Sequence, residues 1–330
     1  MRPDALGLPT VIVPYPGPSQ VPGVQDIFVY LRPETNGVIA ESTILKVVKN
    51  ANLHGDVMSL VFLANLPGEF IVKHKIVEQF YSLRLHFAVH GANAFTPAMR
   101  RQFEAHFKID LASAAVHGAF DAMDRLQLKP EELFDLWVPE HDLLHMQGQI
   151  IKRIHGLFVV NYDIPALIHK NSKQTDIAVM LFRTSFGYEE VNALVQSMHK
   201  ALCGSGILSS QLDVARAFHY SKSPLAQVLD GIAYLYPILG PQLRIQDLTF
   251  AHWLLDQQIS IEKLASLLRN PIVMIHDDQG ESQEVNLFQY TQFDSYSQSL
   301  KKINQIYESQ QVIHHGQFIT EICAATAAKV

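Results

Sequence analysis

The stretch on which the fold turns is Pro139-Glu-His-Asp-Leu-Leu-His-Met-Gln-Gly-Gln-Ile-Ile-Lys-Arg-Ile-His-Gly156. Read with a helical period, His141, His145, Gly148, Lys152 and His155 recur at steps of 4, 3, 4 and 3. That spacing places them on one helix face. Pro139 suits a first helical position and Gly156 the residue just past a helix end. Leu144, Gln147, Ile151 and Ile154 form the neighbouring, mostly apolar stripe. The expectation is a helix with its histidines along the edge of a buried face.

On such a helix His141 and His145 can share a metal ion, as the imidazoles of a His-Glu-x-x-His helix do. Asp142 stands where that motif carries glutamate, and its carboxylate is one methylene shorter. Lys152 lies on the same row, and a cation there disfavours a second one. The plainer reading is a helix edge whose histidine rings pack on apolar neighbours while one nitrogen stays wet.

His86 and His90 repeat the spacing on a second expected helix, one that follows Pro67-Gly68 with Val72, Ile76, Phe80, Leu83 and Phe87 inward. Were the two helices neighbours, four imidazoles would meet. Chance spacing competes with this, since the chain holds 16 histidines. His117, Asp121 and Asp124 share the flank of a helix expected from Asp110. A histidine held by a carboxylate can act as a base or orient a ligand. More simply, the trio is a solvated face. The candidate catalytic residues are therefore Asp142, His117 and Asp121. The candidate metal ligands are His141 and His145, with His86 and His90 behind them, and the cofactor they imply is a divalent metal.

Composition narrows the class. Apolar residues make up 48% of the 330 and charged residues 18%, which supports a large core and excludes wholesale disorder. A net charge of −6 without a long basic run argues against nucleic acid as the main partner. Two distant cysteines, Cys203 and Cys323, make no disulfide framework. The first residues lack the apolar run of a secretory leader, and no stretch reaches the length of a membrane span. The cytoplasm is the expected location.

Residues 1–24 carry six prolines and read as an extended arm, with Thr10-Val-Ile-Val13 as an edge strand packed on its own domain or on a neighbouring subunit. Continuous apolar runs at 27–31, 57–63, 157–160, 176–182 and 271–275 read as buried strands. Thr96-Pro97 and Gly187 open helices, and residues 97–155 read as almost wholly helical. Residues 209–270 read as helical with breaks at prolines, and Leu225–Leu239 as apolar nearly all round. A last helix is expected near Phe318–Ala327.

The order aromatic-Val strand, Asp-led strand, Gly turn and helix occurs twice: Phe28-Val29, Asp56 and Gly68, then Phe158-Val159, Asp176 and Gly187. This is a weak mark of internal duplication, and any α/β chain repeats strand-turn-helix units. The expected fold is α/β, with mixed α+β as its variant: two similar strand-helix units with helical insertions, at 25–155 and 156–330, behind the arm. Three functions fit. The first is an assembly, interaction or regulatory protein without catalysis, self-associating or bound to a protein partner. The second is a metal-dependent hydrolase or related enzyme using the His141-Asp142-Leu143-Leu144-His145 segment. The third is small-molecule binding between the two units.

Overall fold

A computed structural model describes residues 7–32, 35–55, 57–209, 214–238 and 243–309. The fold is mixed α/β, with three sheets and many helices among the described residues. Its centre is a five-stranded antiparallel sheet of β1 (Thr10–Val13), β2 (Gln25–Leu31), β3 (Met58–Leu66), β8 (Ile177–Thr184) and β9 (Phe218–Tyr220), in the order β1-β3-β8-β2-β9. The helix Val38–Ala51 joins β2 to β3, and Tyr188–Gly204 is the long helix between β8 and β9. With β8 lying between β2 and β3, this is a split βαβ arrangement repeated as βαββαβ.

The two faces of this sheet explain its sequence. Ile27, Val29, Leu31, Met180 and Phe182 pack under the helices Val38–Ala51 and Tyr188–Gly204. Phe28, Tyr30, Phe62, Val179 and Leu181 pack against residues of the helices Pro224–Tyr234, Thr249–Asp256 and Ile261–Arg269. A strand covered on both sides reads as a continuous apolar run rather than an alternation, and β2 is buried at all seven positions. Each fully buried Leu, Ile or Phe adds roughly 1.5–3 kcal/mol, so β2 and β8 anchor the unit.

The described part of the proline arm packs on its own chain. β1 pairs with β3, Arg183 Nη2 donates to the Gly17 carbonyl at 2.8 Å, and Ser19 N donates to Thr249 Oγ1 at 3.1 Å.

Between β3 and β8 the chain builds a second unit on the strands β4 (Ala115–Gly118), β5 (Leu143–Met146), β6 (Gln149–Ile154) and β7 (Leu157–Val160), ordered β4-β7-β6-β5. β4 runs parallel to β7 and the other pairs are antiparallel. Phe87, Phe103, Phe107 and Phe158 fill one core of this unit, and Ala88, Ala119, Leu133 and Ile164 another. A third sheet, of β10 (Ile272–His276), β11 (Ser282–Asn286) and β12 (Ile306–Ser309), is ordered β11-β10-β12. β10 and β11 pair as an antiparallel hairpin whose loop carries Asp277 and Gly280.

The decisive stretch is not a helix. Glu140–Asp142 is one 3-10 turn, and the rest is a meander of β5, β6 and β7. Two two-residue turns make it, each with both residues at positive φ: Gln147 (49°) with Gly148 (79°), and His155 (47°) with Gly156 (86°). This is the type I′ pattern, whose twist matches antiparallel strands. The period is 2: Leu144 and Met146 are buried and His145 between them is exposed. Residues 97–155 are accordingly mixed, with β4 where a helix from Asp110 was expected.

The helix expected after Gly68 is also broken. It forms three short helices, Gly68–Lys73, Ile76–Phe80 and Ser82–His90, interrupted where Lys75 adopts φ 49°. Residues 155–156, where the sequence reading divides the chain, are the turn between β6 and β7. The structure does not confirm a duplication. Phe28-Val29 lies in the central sheet and Phe158-Val159 in the mixed one, while β3 and β8 are direct partners. Asp56, Cys323 and the helix expected near Phe318–Ala327 lie outside the described residues.

Candidate functional site

The expected metal helix does not bring its ligands together. The His141 side chain is 80% exposed in the 3-10 turn, and its backbone carbonyl accepts from His106 Nε2 at 3.3 Å. His145 projects from β5 into solvent. With His141 in a turn and His145 on a strand, the two lose the i, i+4 geometry on which a shared ion depended. Asp142 lies 3.7 Å from Arg153. His86 and His90 do share a helix, with ring centroids 4.5 Å apart. Among the described residues, no three His, Cys, Asp or Glu side chains are grouped to hold a metal ion.

His117 and Asp121 do meet, with Nδ1 2.6 Å from Oδ2, although His117 lies in β4 and Asp121 in the first turn of the helix Ala119–Leu126. Arg125 Nε donates to the same carboxylate oxygen at 3.0 Å. The Arg125 and His117 hydrogen bonds hold the Asp121 carboxyl below its usual range. Asp121 is half exposed at the surface, so the group is a solvated ion-pair cluster of modest energy.

A different histidine occupies a built site. β2 and β9 pair so that Tyr30 lies opposite His219. Their rings stack at 4.4 Å and 17°, and Phe80 meets the His219 ring edge-on at 6.0 Å. Directly after β9, Ser223 caps the helix Pro224–Tyr234 by accepting from Ala226 N at 3.1 Å. That helix carries Asp230, whose side chain has no solvent exposure, to 3.2 Å from His219 Nε2. Ser221 Oγ donates to Asp230 Oδ2 at 2.6 Å and accepts from Phe28 N at 3.1 Å.

A buried carboxylate that engages one ring nitrogen fixes the tautomer and the orientation of the imidazole. Nε2 carries the proton, and Nδ1 is left with no hydrogen-bond partner among the described residues. The His219 side chain stays one-fifth exposed.

Tyr30 and Tyr234 also line a cleft of about 440 Å³ between the central sheet and the inserted unit. Arg32 and Lys222 enter from the sheet side, and Arg84, Lys170 and Asp163 from the insertion. Tyr81 and Phe134 add aromatic surface. Four cations and one carboxylate line the cleft, and Arg84 pairs with that carboxylate at 2.7 Å. Burial, and then the nearby Arg32 guanidinium, lower the pKa of Lys222. Burial, above all, holds Tyr30 and Tyr234 in the neutral form.

Asn161 builds the insertion's wall. It is fully buried at φ 53°, and its amide donates to the Arg84 carbonyl and to Gln149 Oε1, both at 2.8 Å. Its own Oδ1 accepts from Ile150 N at 3.0 Å.

Sequence reasoning missed His219 and Asp230 because residues 209–270 read as helical. One signal was present. Asp230 is the only charged residue of Pro224–Tyr234, a helix buried at nine of its eleven positions. A carboxylate there requires a partner.

No protein-family model, no curated protein and no solved structure matches this chain.

Proposed function

We propose that the cleft between the two units binds a phosphate-bearing small molecule and that His219 accepts its phosphoryl group. The observation that carries the reading is the fixed imidazole of His219, held by buried Asp230 and stacked at 4.4 Å on Tyr30, which itself lines the cationic, aromatic-walled cleft. Cationic side chains lining one cleft suit an anion, and tyrosine and phenylalanine rings suit an aromatic or apolar portion of the same ligand. A nucleotide has both parts.

In the proposed step, Nδ1 attacks phosphorus. The Nδ1–P bond forms as the bond from phosphorus to the leaving oxygen breaks, and that oxygen departs with the electron pair. The proton stays on Nε2, directed at Asp230, whose carboxylate offsets the positive charge that develops on the ring. Arg32, Arg84 and Lys222 are placed to balance the charge on the transferring oxygens. An acceptor oxygen then takes the phosphoryl group from Nδ1 and restores the enzyme. Such phosphorylated metabolites are abundant in the cytoplasm, the proposed location.

Incubation with ATP, followed by peptide mass analysis, tests this. The expected result is an acid-labile, alkali-stable phosphoryl adduct on the peptide containing His219, absent in His219→Asn. Absence of any adduct in a chain that still binds ATP overturns the covalent step. Failure to bind ATP and inorganic phosphate alike overturns the cleft as an anion site.

An interaction role has one observation in its favour. Trp137, just beyond the helix Pro130–Asp135, is 82% exposed. A change in oligomeric state on Trp137→Ser, read by sedimentation, would support it, and an unchanged state would remove that support.

A further inference from the structure

A second cavity, of about 720 Å³, lies away from His219, between the end of the proline arm, the helix Thr249–Asp256 and the segment around Phe293. Trp253, Tyr296, Tyr188 and Phe293 supply ring surface, with Trp253 5.5 Å from Tyr296 and Tyr188 5.9 Å from Phe293. Its polar floor is already satisfied. Tyr296 Oη donates to Gln227 Oε1 at 2.9 Å, while Gln227 Nε2 donates to Gln25 Oε1 at 3.0 Å and to Tyr188 Oη at 3.1 Å. The ionisable side chains at the rim are Glu189, Glu190 and Asp256, with His252 beside them, and no lysine or arginine lines the cavity. None of the three carboxylates has an ion-pair partner among the described residues.

Phe293 is the unusual member. Its φ is 64°, a conformation costly for a bulky side chain, and the residue remains 44% exposed. Phe293 N donates to the Lys222 carbonyl at 2.7 Å, which holds the strained residue in place. Strain that keeps an aromatic ring half in water over a cavity is the pattern of a ligand-contact residue.

We propose that this cavity binds a small organic cation of the ammonium class. Rings take the alkyl stem and the cation–π contact, and the rim carboxylates take the charge. No residue lines both cavities, and the proposal does not depend on the function proposed for the His219 cleft.

Spermidine is the probe. In a Trp137→Phe background Trp253 is the single tryptophan, so its fluorescence reports the cavity. The expected result is a saturable change with spermidine that magnesium at equal ionic strength does not reproduce. Phe293→Gly, which relieves the backbone, should fold normally and bind at least fivefold more weakly. The exposed pair Glu189→Gln with Glu190→Gln should do the same. A flat titration, an equal response to magnesium, or full affinity in both variants would overturn the proposal.

Discussion

His219 Nε2 lies 3.2 Å from the Asp230 carboxylate, which is sealed from solvent and takes a second hydrogen bond from Ser221. The ring therefore has one orientation and one free nitrogen. Asp230→Asn keeps the shape but allows the other tautomer, and adduct formation should fall by about a hundredfold or more, measured by the rate of phosphoryl incorporation. Ser221→Ala should cost about 1–3 kcal/mol, read by denaturant unfolding, since it removes a buried charge-assisted bond.

Lys222 gives a pH signature. Its pKa is lowered by burial and then by Arg32, so it loses its proton at a lower pH than an ordinary lysine. A bound anion favours the charged form and raises that value. Anion affinity should therefore fall as pH rises into the alkaline range, and binding there should take up a proton. Calorimetry with inorganic phosphate in two buffers of different ionisation heat checks this, and Lys222→Met should abolish the uptake.

Lys152 makes the opposite kind of contribution, to stability alone. It is 4% exposed, and its ammonium donates to the carbonyls of Phe134 at 3.2 Å and Leu136 at 2.7 Å and lies over the Tyr162 ring. Burial lowers its pKa to about 8. The unfolded chain, with lysine near about 10.4, binds more protons between these two values. Folding stability should therefore rise with pH across that window, with the cost fully present below it. The rise should be on the order of 1–3 kcal/mol. Urea unfolding at several pH values measures it, and Lys152→Met should flatten the curve.

The two hairpin turns discriminate strand from helix at the histidine stretch. Gly156 sits at φ 86° with open space around it, so Gly156→Ala should cost about 1 kcal/mol through backbone strain. His155, at φ 47°, should gain a few tenths of a kcal/mol on replacement by Asn, which favours that conformation. Gly148→Ala should cost more, because a Cβ there would lie 2.8 Å from Asn286 Nδ2. That amide donates to the Gln147 carbonyl and ties the hairpin to β11. Thermal melts rank the three.

Much of the framework was legible in the residues. The runs Ile27–Leu31, Leu157–Val160 and Ile272–Ile275 are strands, and Thr96-Pro97 opens a helix whose Met99 and Phe103 are buried. Those signals are local: doubly covered strands are apolar throughout, and a capping hydroxyl before proline acts within one turn. The histidine stretch failed because five polar positions happened to match a 3.6 period, while Gln147-Gly148 and His155-Gly156, the actual turn chemistry, carried the period of 2. The candidate ligands were chosen on that helix and separated with it.

The sequence alone determined that this chain is a mixed α/β protein, which segments are buried, and where several helices begin. Hydrophobic period and capping are properties of neighbouring residues. Only the tertiary structure decided that β8 lies between β2 and β3, that 67–176 is an insertion, and that His219 meets Tyr30 and Asp230. Those contacts join residues far apart in the chain. Strand order and the desolvation of one carboxylate are settled by which surfaces cover each other, which no local pattern records.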